Sequence, residues 1–386
     1  MGMKSASFWF SPDWSVRTST IAEDIEREVV FNLKKIEEEN IYEIYGKSGT
    51  VIIADTTGIH KGGFSTIKKR EMTMNTKNNS TPEIEITYWS YFSRFNNEIV
   101  NTFNKLQKEK FVLIDGGAAG NLSSPFDIAR SVIKAVRFEP RGDDEVELSS
   151  NDIYIDGGIW SEDKEGLLHV AEDPTTSSIC PPNIEFLSQF NDLNGVPPRK
   201  TIKEIHIPLR SIDSCVELSE IPKPHFIKLD VHSAEVPALL GSKNSLDNCV
   251  GLLVETWNSE VHKGQMLHYD VEKFAIENGF EVYDNICAAS WRIKHDGKVN
   301  DHERARYIGS EILFIKKNVP KELRLEKAFV LSLFGFYSAA QNLLQSFEIE
   351  GEKDLYDEIT NAKVKASRPT LKTVLRKIYH LLKRFF

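Results

Sequence analysis

The strongest constraint on the fold is a series of short apolar runs between about residues 106 and 320. They read FVLID at 111–115, AVRFE at 135–139, IYIDGGIW at 153–160, FIKLD at 226–230, GLLVE at 251–255 and EILFI at 311–315. Runs of this length rich in Val, Ile, Leu and Phe suit strands buried on both faces. Stretches with helical spacing lie between some of them, as at Ser124 to Lys134 and Ala234 to Ser245. Strands alternating with helices predict an α/β domain whose sheet is mainly parallel and covered on both faces. Such sheets bind ligands beyond the carboxyl ends of their strands. Several of these runs end in Asp or Glu, so the strand ends are where chemistry is expected.

The flanking segments differ. Residues 1–105 combine a charged stretch with helical spacing, Ile21 to Glu39, a short strand at Thr50 to Ala54 and a polar loop at Lys77 to Pro82. Residues 321–386 predict a helix pair over Leu323 to Phe347, broken near Gly335, then a linker at Lys363 to Pro369. Thr370 to Phe386 closes the chain as a basic amphipathic helix. The net charge of −9 argues against a general nucleic-acid-binding role, because phosphate contacts need a basic surface. Cys180, Cys215, Cys249 and Cys287 are widely spaced and form no C-x-x-C pair. That usage fits a reducing compartment and gives no zinc ribbon. The N-terminus shows no secretory signal pattern. Together these features point to a cytoplasmic protein.

Asp115-Gly116-Gly117-Ala118-Ala119-Gly120 follows the first strand directly. Small residues there let backbone N–H groups approach a ligand, and a helix start behind them favours a negative group. The same turn without a ligand is a tight strand-to-helix connection. Glu139 ends the next strand, about 20 residues on, where a carboxylate accepts hydrogen bonds from ribose hydroxyls. These two motifs specify a nucleoside-containing cofactor, NAD included, without saying which.

A third element is more specific. Phe226-Ile227-Lys228-Leu229-Asp230-Val231-His232-Ser233-Ala234-Glu235 is preceded by Pro208-Leu209-Arg210-Ser211-Ile212-Asp213 and followed by Gly251-Leu252-Leu253-Val254-Glu255. This order resembles the FkbM family of S-adenosylmethionine-dependent methyltransferases. Phe138-Glu139-Pro140, Asp213, Lys228, Asp230, Val231 and Glu235 match the family pattern. Trp160-Ser161-Glu162-Asp163 and Ser177-Ser178 stand where the family has a Ser-Asp turn and a Ser-Ser pair. Ser233 replaces the usual Gly and Ile212 the usual Leu.

The resemblance implies a Rossmann-like class I fold with a seven-stranded sheet. It also implies S-adenosylmethionine as cofactor, held by Asp115, Gly116, Gly117, Ala118, Gly120 and Glu139. The implied reaction is methylation of a hydroxyl on a small molecule or glycan. Asp230, His232 and Glu235 are the expected catalytic group, with Asp230 or His232 as the base. A turn carboxylate for Asp230 and a helix-capping surface histidine for His232 are the bland alternatives. Glu255, Trp257 and Asn258 are placed on the acceptor side, Trp257 more readily as a packing residue. No metal is assigned.

The first segment carries a second resemblance. Thr50 to Gly62 is similar to the last strands of phytanoyl-CoA-type iron/2-oxoglutarate dioxygenases, with His60 and Arg70 matching a distal iron ligand and an oxoglutarate-binding arginine. No histidine precedes His60, so the two-histidine, one-carboxylate set is incomplete. The triplet His268-Tyr269-Asp270 has the letters of the missing element but follows His60 and is rejected. The segment therefore reads as a truncated double-stranded β-helix remnant. A non-catalytic remnant of a two-domain oxygenase–methyltransferase, or an oxygenase, is the alternative to a working methyltransferase.

In the last helix Leu371, Val374, Leu375, Ile378, Leu381, Leu382 and Phe385 share one face, opposite Lys372, Arg376, Lys377, Lys383 and Arg384. This suits peripheral contact with an anionic membrane, and equally docking on an acidic partner or on the protein itself. Each basic residue near such a leaflet contributes about 1 kcal/mol, screened by salt. Full-length protein is expected to sediment with anionic liposomes in a salt-sensitive way, and a chain ending at Arg368 to stay in solution. Equal sedimentation of the two counts against the membrane role.

Overall fold

A computed structural model describes residues 13–18, 27–32 and 96–367, apart from 143–145, 301 and 348–349. The chain divides into two units, residues 1–63 with 366–386, and residues 64–365. Of the first unit, strands β1 (Asp13–Thr18) and β2 (Arg27–Asn32) are described, paired antiparallel with Val16 opposite Val29. The helix expected over Ile21 to Glu39 is thus interrupted by a strand. Its Val29-Val30-Phe31 run is β-branched and aromatic, and pairing with β1 outweighs the helical charge spacing. Thr50 to Ala54, His60, Arg70, Lys77 to Pro82 and the helix expected over 370–386 lie outside the described residues.

The second unit is built on one sheet. Its strands are β3 (Phe111–Gly116), β4 (Ile133–Phe138), β5 (Ile153–Ile155), β9 (Phe226–Leu229), β10 (Gly251–Trp257), β11 (Phe280–Trp291) and β14 (Arg306–Lys316). Their order is β11-β14-β10-β9-β3-β4-β5, parallel from β10 to β5 and antiparallel at the β14 and β11 end. This is the α/β, mainly parallel seven-stranded sheet that the sequence predicts. Beside it, β6 (Gly158–Ile159), β7 (Lys164–Ala171) and β8 (Thr201–Arg210) form a second sheet of order β6-β8-β7. A two-residue pair, β12 (Lys294–His295) and β13 (Lys298–Val299), tips a hairpin.

The run at 153–160 is split in two. Gly157 turns the chain at φ +140°, with the Pro208 carbonyl only 2.6 Å from where a Cβ would stand. β5 therefore stays in the large sheet while β6 starts the small one.

Helix α1 (Asn97–Leu106) precedes β3, and α2 (Ile212–Glu217), α3 (Glu235–Leu240) and α4 (His268–Glu277) connect later strands. The helix expected at Ser124 to Lys134 is absent. A single 3-10 turn, Asp127–Ala129, stands there, and β4 already begins at Ile133. Pro125 deprives that segment of a donor, and Phe126 is drawn into the core against Phe226 and Phe334.

The helix pair expected near Gly335 is α5 (Arg324–Leu333) and α6 (Tyr337–Leu344), with Gly335 at φ +81° between them. Phe329 of α5 stacks on Phe103 of α1 at 4.0 Å and meets Phe111 of β3 edge-on at 5.6 Å. These helices thus belong to the core of the sheet unit. The linker expected at Lys363 to Pro369 is also corrected, because α7 (Glu352–Ser367) runs through its first five residues. Leu355, Ile359 and Ala362 bury one face of that helix and decide the matter.

At the foot of the sheet, His225 accepts a hydrogen bond from the Val112 N–H at Nδ1, 2.9 Å. Burial pushes its pKa down to about 4. A base with a depressed folded pKa contributes its stability fully above the unfolded value near 6.5 and loses it as pH falls toward 4. Urea unfolding midpoints are therefore expected to drop between pH 7 and pH 5, and to drop less in His225→Gln. An equal drop in both proteins refutes the assignment.

Candidate functional site

Strands β3 and β9 are neighbours, and from them the chain continues to opposite sides of the sheet, β3 toward β4 and β9 toward β10. A parallel sheet opens a crevice at such a reversal. The two turns that leave these strands touch. The Asp230 N–H donates to the Gly116 carbonyl at 3.1 Å. Gly117, at φ +75°, lies so close that a Cβ would stand 2.0 Å from the Asp230 carbonyl oxygen. Only glycine accommodates both the left-handed backbone and that contact.

Asp115 is buried at the end of β3. Its Oδ2 pairs with Arg137 Nε at 2.9 Å and its Oδ1 with Lys228 Nζ at 3.1 Å. Arg137 is fully buried and also donates to the carbonyls of Ala118 (2.7 Å) and Gly120 (3.0 Å). Burial alone lowers the pKa of Lys228, but the Asp115, Asp230 and Glu311 carboxylates outweigh it and hold the ammonium above its ordinary value. The N–H groups of Gly117 and Ala118, expected to face a ligand, both donate to the Phe138 carbonyl, at 3.2 and 3.1 Å. With no α-helix behind the turn, the expected helix start makes no contribution there. What the glycine turn supplies is its close approach to β9.

Glu139 follows β4 and is buried. Arg141 lies over its carboxylate, with Nε 2.8 Å from Oε1 and the backbone N–H donating to the same oxygen at 3.1 Å. Arg137 and Arg141 are partners that no motif in the sequence marks, and Ser178, one of the Ser-Ser pair, takes its role only from the fold. Arg137 was readable only as part of a strand whose central position is charged.

The turn after β9 holds the expected catalytic group. His232 and Ser233 have φ of +48° and +98°, so the residue standing where the family usually has Gly does occupy glycine-like backbone. Ser178 ties this turn down, donating to the His232 carbonyl at 2.5 Å and bonding the Ser233 hydroxyl at 2.6 Å. Glu235 accepts from the N–H of Val231 (3.3 Å) and of Ser233 (3.0 Å). Burial, with the nearby Glu255 charge, raises its pKa to about 8. Glu235 thus shapes the turn from below, while Asp230 is only half-buried and His232 lies between them.

The His232 ring places Nε2 at 2.6 Å from the Thr175 carbonyl and Nδ1 at 3.0 Å from Glu255 Oε2. Glu255 is buried in β10, opposite Glu311 of β14. Arg199 and His262 border it. Burial lowers the Arg199 pKa to about 10 against the field of Glu255 and Asp173, and burial with His232 and Arg199 nearby lowers His262 to about 3. Trp257 is the packing residue anticipated, in a cluster with Phe190, Trp291 and Ile308. His268, on α4, bonds Thr256 of β10 and Glu272 of its own helix.

Comparison with known proteins gives a family for this region. Its domain description, methyltransferase FkbM domain, matches residues 134–282. The chain carries an FkbM methyltransferase domain. The matched span holds Glu139, Asp230, His232, Glu235 and Glu255, and begins after the glycine turn. No curated protein matches the chain. Among solved structures, an FkbM methyltransferase from Methylobacillus flagellatus KT is similar at 12% identity and a TM-score of 0.26. The alignment covers 53% of this chain and 43% of that one, less than half the relative's length. The magnesium protoporphyrin IX methyltransferase from Synechocystis PCC 6803, with bound SAM, is similar at 8% identity and a TM-score of 0.25, covering 61% of this chain and 86% of that one.

Two further residues of the motif, Asp163 and Asp213, hold backbone. Asp163 accepts from the Ser211 N–H and the Ser214 hydroxyl, both at 2.7 Å, fixing the start of α2. Asp213 accepts from the N–H groups of Asn244 and Ser245, each at 2.8 Å, fixing the chain after α3.

Gly117 and Gly120 separate two effects. Both have positive φ, but a Cβ on Gly120 meets nothing within 4 Å. Strained φ alone costs about 1–3 kcal/mol. Gly117→Ala is expected to lower the unfolding free energy by clearly more than Gly120→Ala. Equal losses mean that the two turns do not touch as described.

Proposed function

We propose that this chain is an S-adenosylmethionine-dependent methyltransferase acting on a hydroxyl of a small molecule or glycan. One observation carries the reading: the glycine turn after β3 lies directly against the Asp230 turn after β9, at the reversal of strand order. A cofactor over the first turn and an acceptor over the second are then held side by side, and alignment is most of what a displacement needs.

The residues fit that cofactor. Glu139 would take the ribose hydroxyls, with Arg141 moving from its carboxylate. Each oxygen of Asp115 keeps a lone pair beyond its cation, enough to receive the ammonium of the methionine part. Gly116 to Gly120 would form the floor beneath that part. When bound, S-adenosylmethionine supplies an electrophilic methyl group on a sulfonium. The chain's own task is to orient the acceptor hydroxyl and accept its proton. Asp230 suits that task better than His232, since it is half-buried beside the crevice while both ring nitrogens of His232 are engaged. Glu235, turned toward backbone N–H groups, holds the turn.

Calorimetry with S-adenosylmethionine tests the cofactor assignment. Glu139→Ala removes charge-assisted hydrogen bonds of about 1.5–3 kcal/mol each, so its affinity is expected to fall at least tenfold. Asp230→Asn is expected to bind the cofactor as the wild type does and, with the true acceptor, to turn over on the order of a hundredfold more slowly. Unchanged affinity in Glu139→Ala refutes the ribose role, and unchanged turnover in Asp230→Asn refutes the base.

A further inference from the structure

One buried cation on the acceptor side has no counter-ion in contact with it among the described residues. Arg199 ends the short turn Val196–Arg199, where Pro197 and Pro198 preset the backbone ahead of β8. It is only 7 % exposed. The guanidinium lies over the Trp291 ring, 4.6 Å from its centroid, and Nη1 donates to the Asn194 carbonyl at 2.9 Å. These two contacts hold the fork in place. Nε is buried and has no hydrogen-bond partner. The carboxylates whose field reaches Arg199 are Glu255 and Asp173, and both are engaged elsewhere. Glu255 Oε2 lies 3.0 Å from His232 Nδ1. Asp173 Oδ1 accepts from the Thr175 N–H at 3.0 Å and from its hydroxyl at 2.7 Å.

Two neighbours carry the same signature. His262 and Gln265 are buried, and neither His262 Nδ1 nor Gln265 Nε2 has a hydrogen-bond partner. Gln265 Oε1 accepts from the His262 backbone N–H at 2.5 Å, so the unmet end of that amide is its donor end. The group stands beside the Asp230 turn. The His262 ring centroid lies 6.3 Å from that of His232. Trp257 stands 6.2 Å from the His232 ring and 5.8 Å from Trp291, the ring under Arg199. Unmet buried donors call for an explanation. Water can meet an N–H but carries no charge, and a buried cation needs its charge met as well. A carboxylate does both.

From these positions we infer that Arg199 receives a carboxylate of the acceptor, which makes the substrate class an acidic hydroxyl compound: a hydroxy acid or a uronic-acid unit of a glycan. The planar guanidinium offers Nε and an adjacent Nη as parallel donors, a fork that matches the two oxygens of a carboxylate. Gln265 Nε2 adds a neutral donor for a further oxygen of the same molecule. His262, kept neutral by burial, brings no second charge, so the anion is drawn to Arg199. A site holding buried donors for one group discriminates against the analogue that lacks it, because the donors are then left unmet. The use of this site for an acceptor rests on the methyltransferase reading, whereas carboxylate binding at Arg199 does not.

The test uses the full chain with three probes: glucuronate, glucose, which lacks the carboxylate, and inorganic phosphate. Ligand-detected saturation-transfer nuclear magnetic resonance gives the affinities. Protein carrying ¹⁵N-arginine gives the Nε–H signal of Arg199, identified by its loss in R199K. Glucuronate is expected to shift that signal saturably and to bind at least about tenfold more tightly than glucose. R199K keeps the charge but loses the fork, so its affinity for glucuronate is expected to fall at least about tenfold. Near-ultraviolet circular dichroism establishes that R199K is folded; if it is not, the comparison of probes on the wild type decides alone. No saturable shift with glucuronate at tens of millimolar, equal binding of glucose, or an unchanged preference in folded R199K overturns the site. Tighter binding of phosphate than of glucuronate overturns the carboxylate class. Calorimetry of the wild type with S-adenosylmethionine separates the two readings. Carboxylate binding without cofactor affinity upholds the site and removes its use for an acceptor, and cofactor affinity without carboxylate preference does the reverse.

Discussion

At the centre of this fold a carboxylate is shared by two cations where water is excluded. A buried charge survives only if it is paired and its remaining hydrogen-bonding groups are met. Asp115 meets Arg137 from the strand on one side and Lys228 from the strand on the other. Arg137 spends further donors on the carbonyls of Ala118 and Gly120, so the same pairing that neutralises β3 shapes the turn above it. Lys228 ties β3 to β9 and lies in the field of Asp230 and Glu311. Removing Asp115 strands two buried cations, and removing either cation leaves one oxygen of the carboxylate unmet, so stability and the geometry of the turns are hard to vary separately.

Much of the sheet is legible in the sequence because a strand buried on both faces must be almost wholly apolar. FVLI, FIKL and GLLV announce themselves for that reason, and the acids that follow mark where the strands leave the core. The connections are less legible. Ser124 to Lys134 has helical spacing, yet Phe126 is worth more in the core than in a helix, and β4 claims Ile133. β7 and β8 are harder to read because each has one wet face. The alternation Ile205, Ile207, Leu209, facing Leu168, is the signal that would have found them. The end of α7 looks like a linker because KVKASRP is polar, yet Leu355, Ile359 and Ala362 at helical spacing bury one face of that helix.

The site was legible as residue types, less so as roles. Asp115, Glu139, Asp230 and His232 do stand at or just beyond the ends of three neighbouring strands, β4, β3 and β9. The spacing could not tell that Glu235 turns inward onto backbone N–H groups, or that Glu255, placed only on the acceptor side, shares the imidazole of His232. Both facts depend on how two turns fold over each other. Several letters of the FkbM-like pattern, Asp163, Asp213 and Ser178 among them, act by capping and tethering, so a motif that suggests chemistry is in part a set of joints.

The Ser233 backbone illustrates what such a joint does. A glycine there would adopt φ near +98° without strain and would retain many other conformations in the unfolded chain. Serine narrows those conformations and gains a hydroxyl bond to Ser178. The cost of ordering this turn therefore falls on folding, before any acceptor arrives. Less disorder is left to remove at the moment of binding, so a larger share of an acceptor's contact energy is free to appear as affinity.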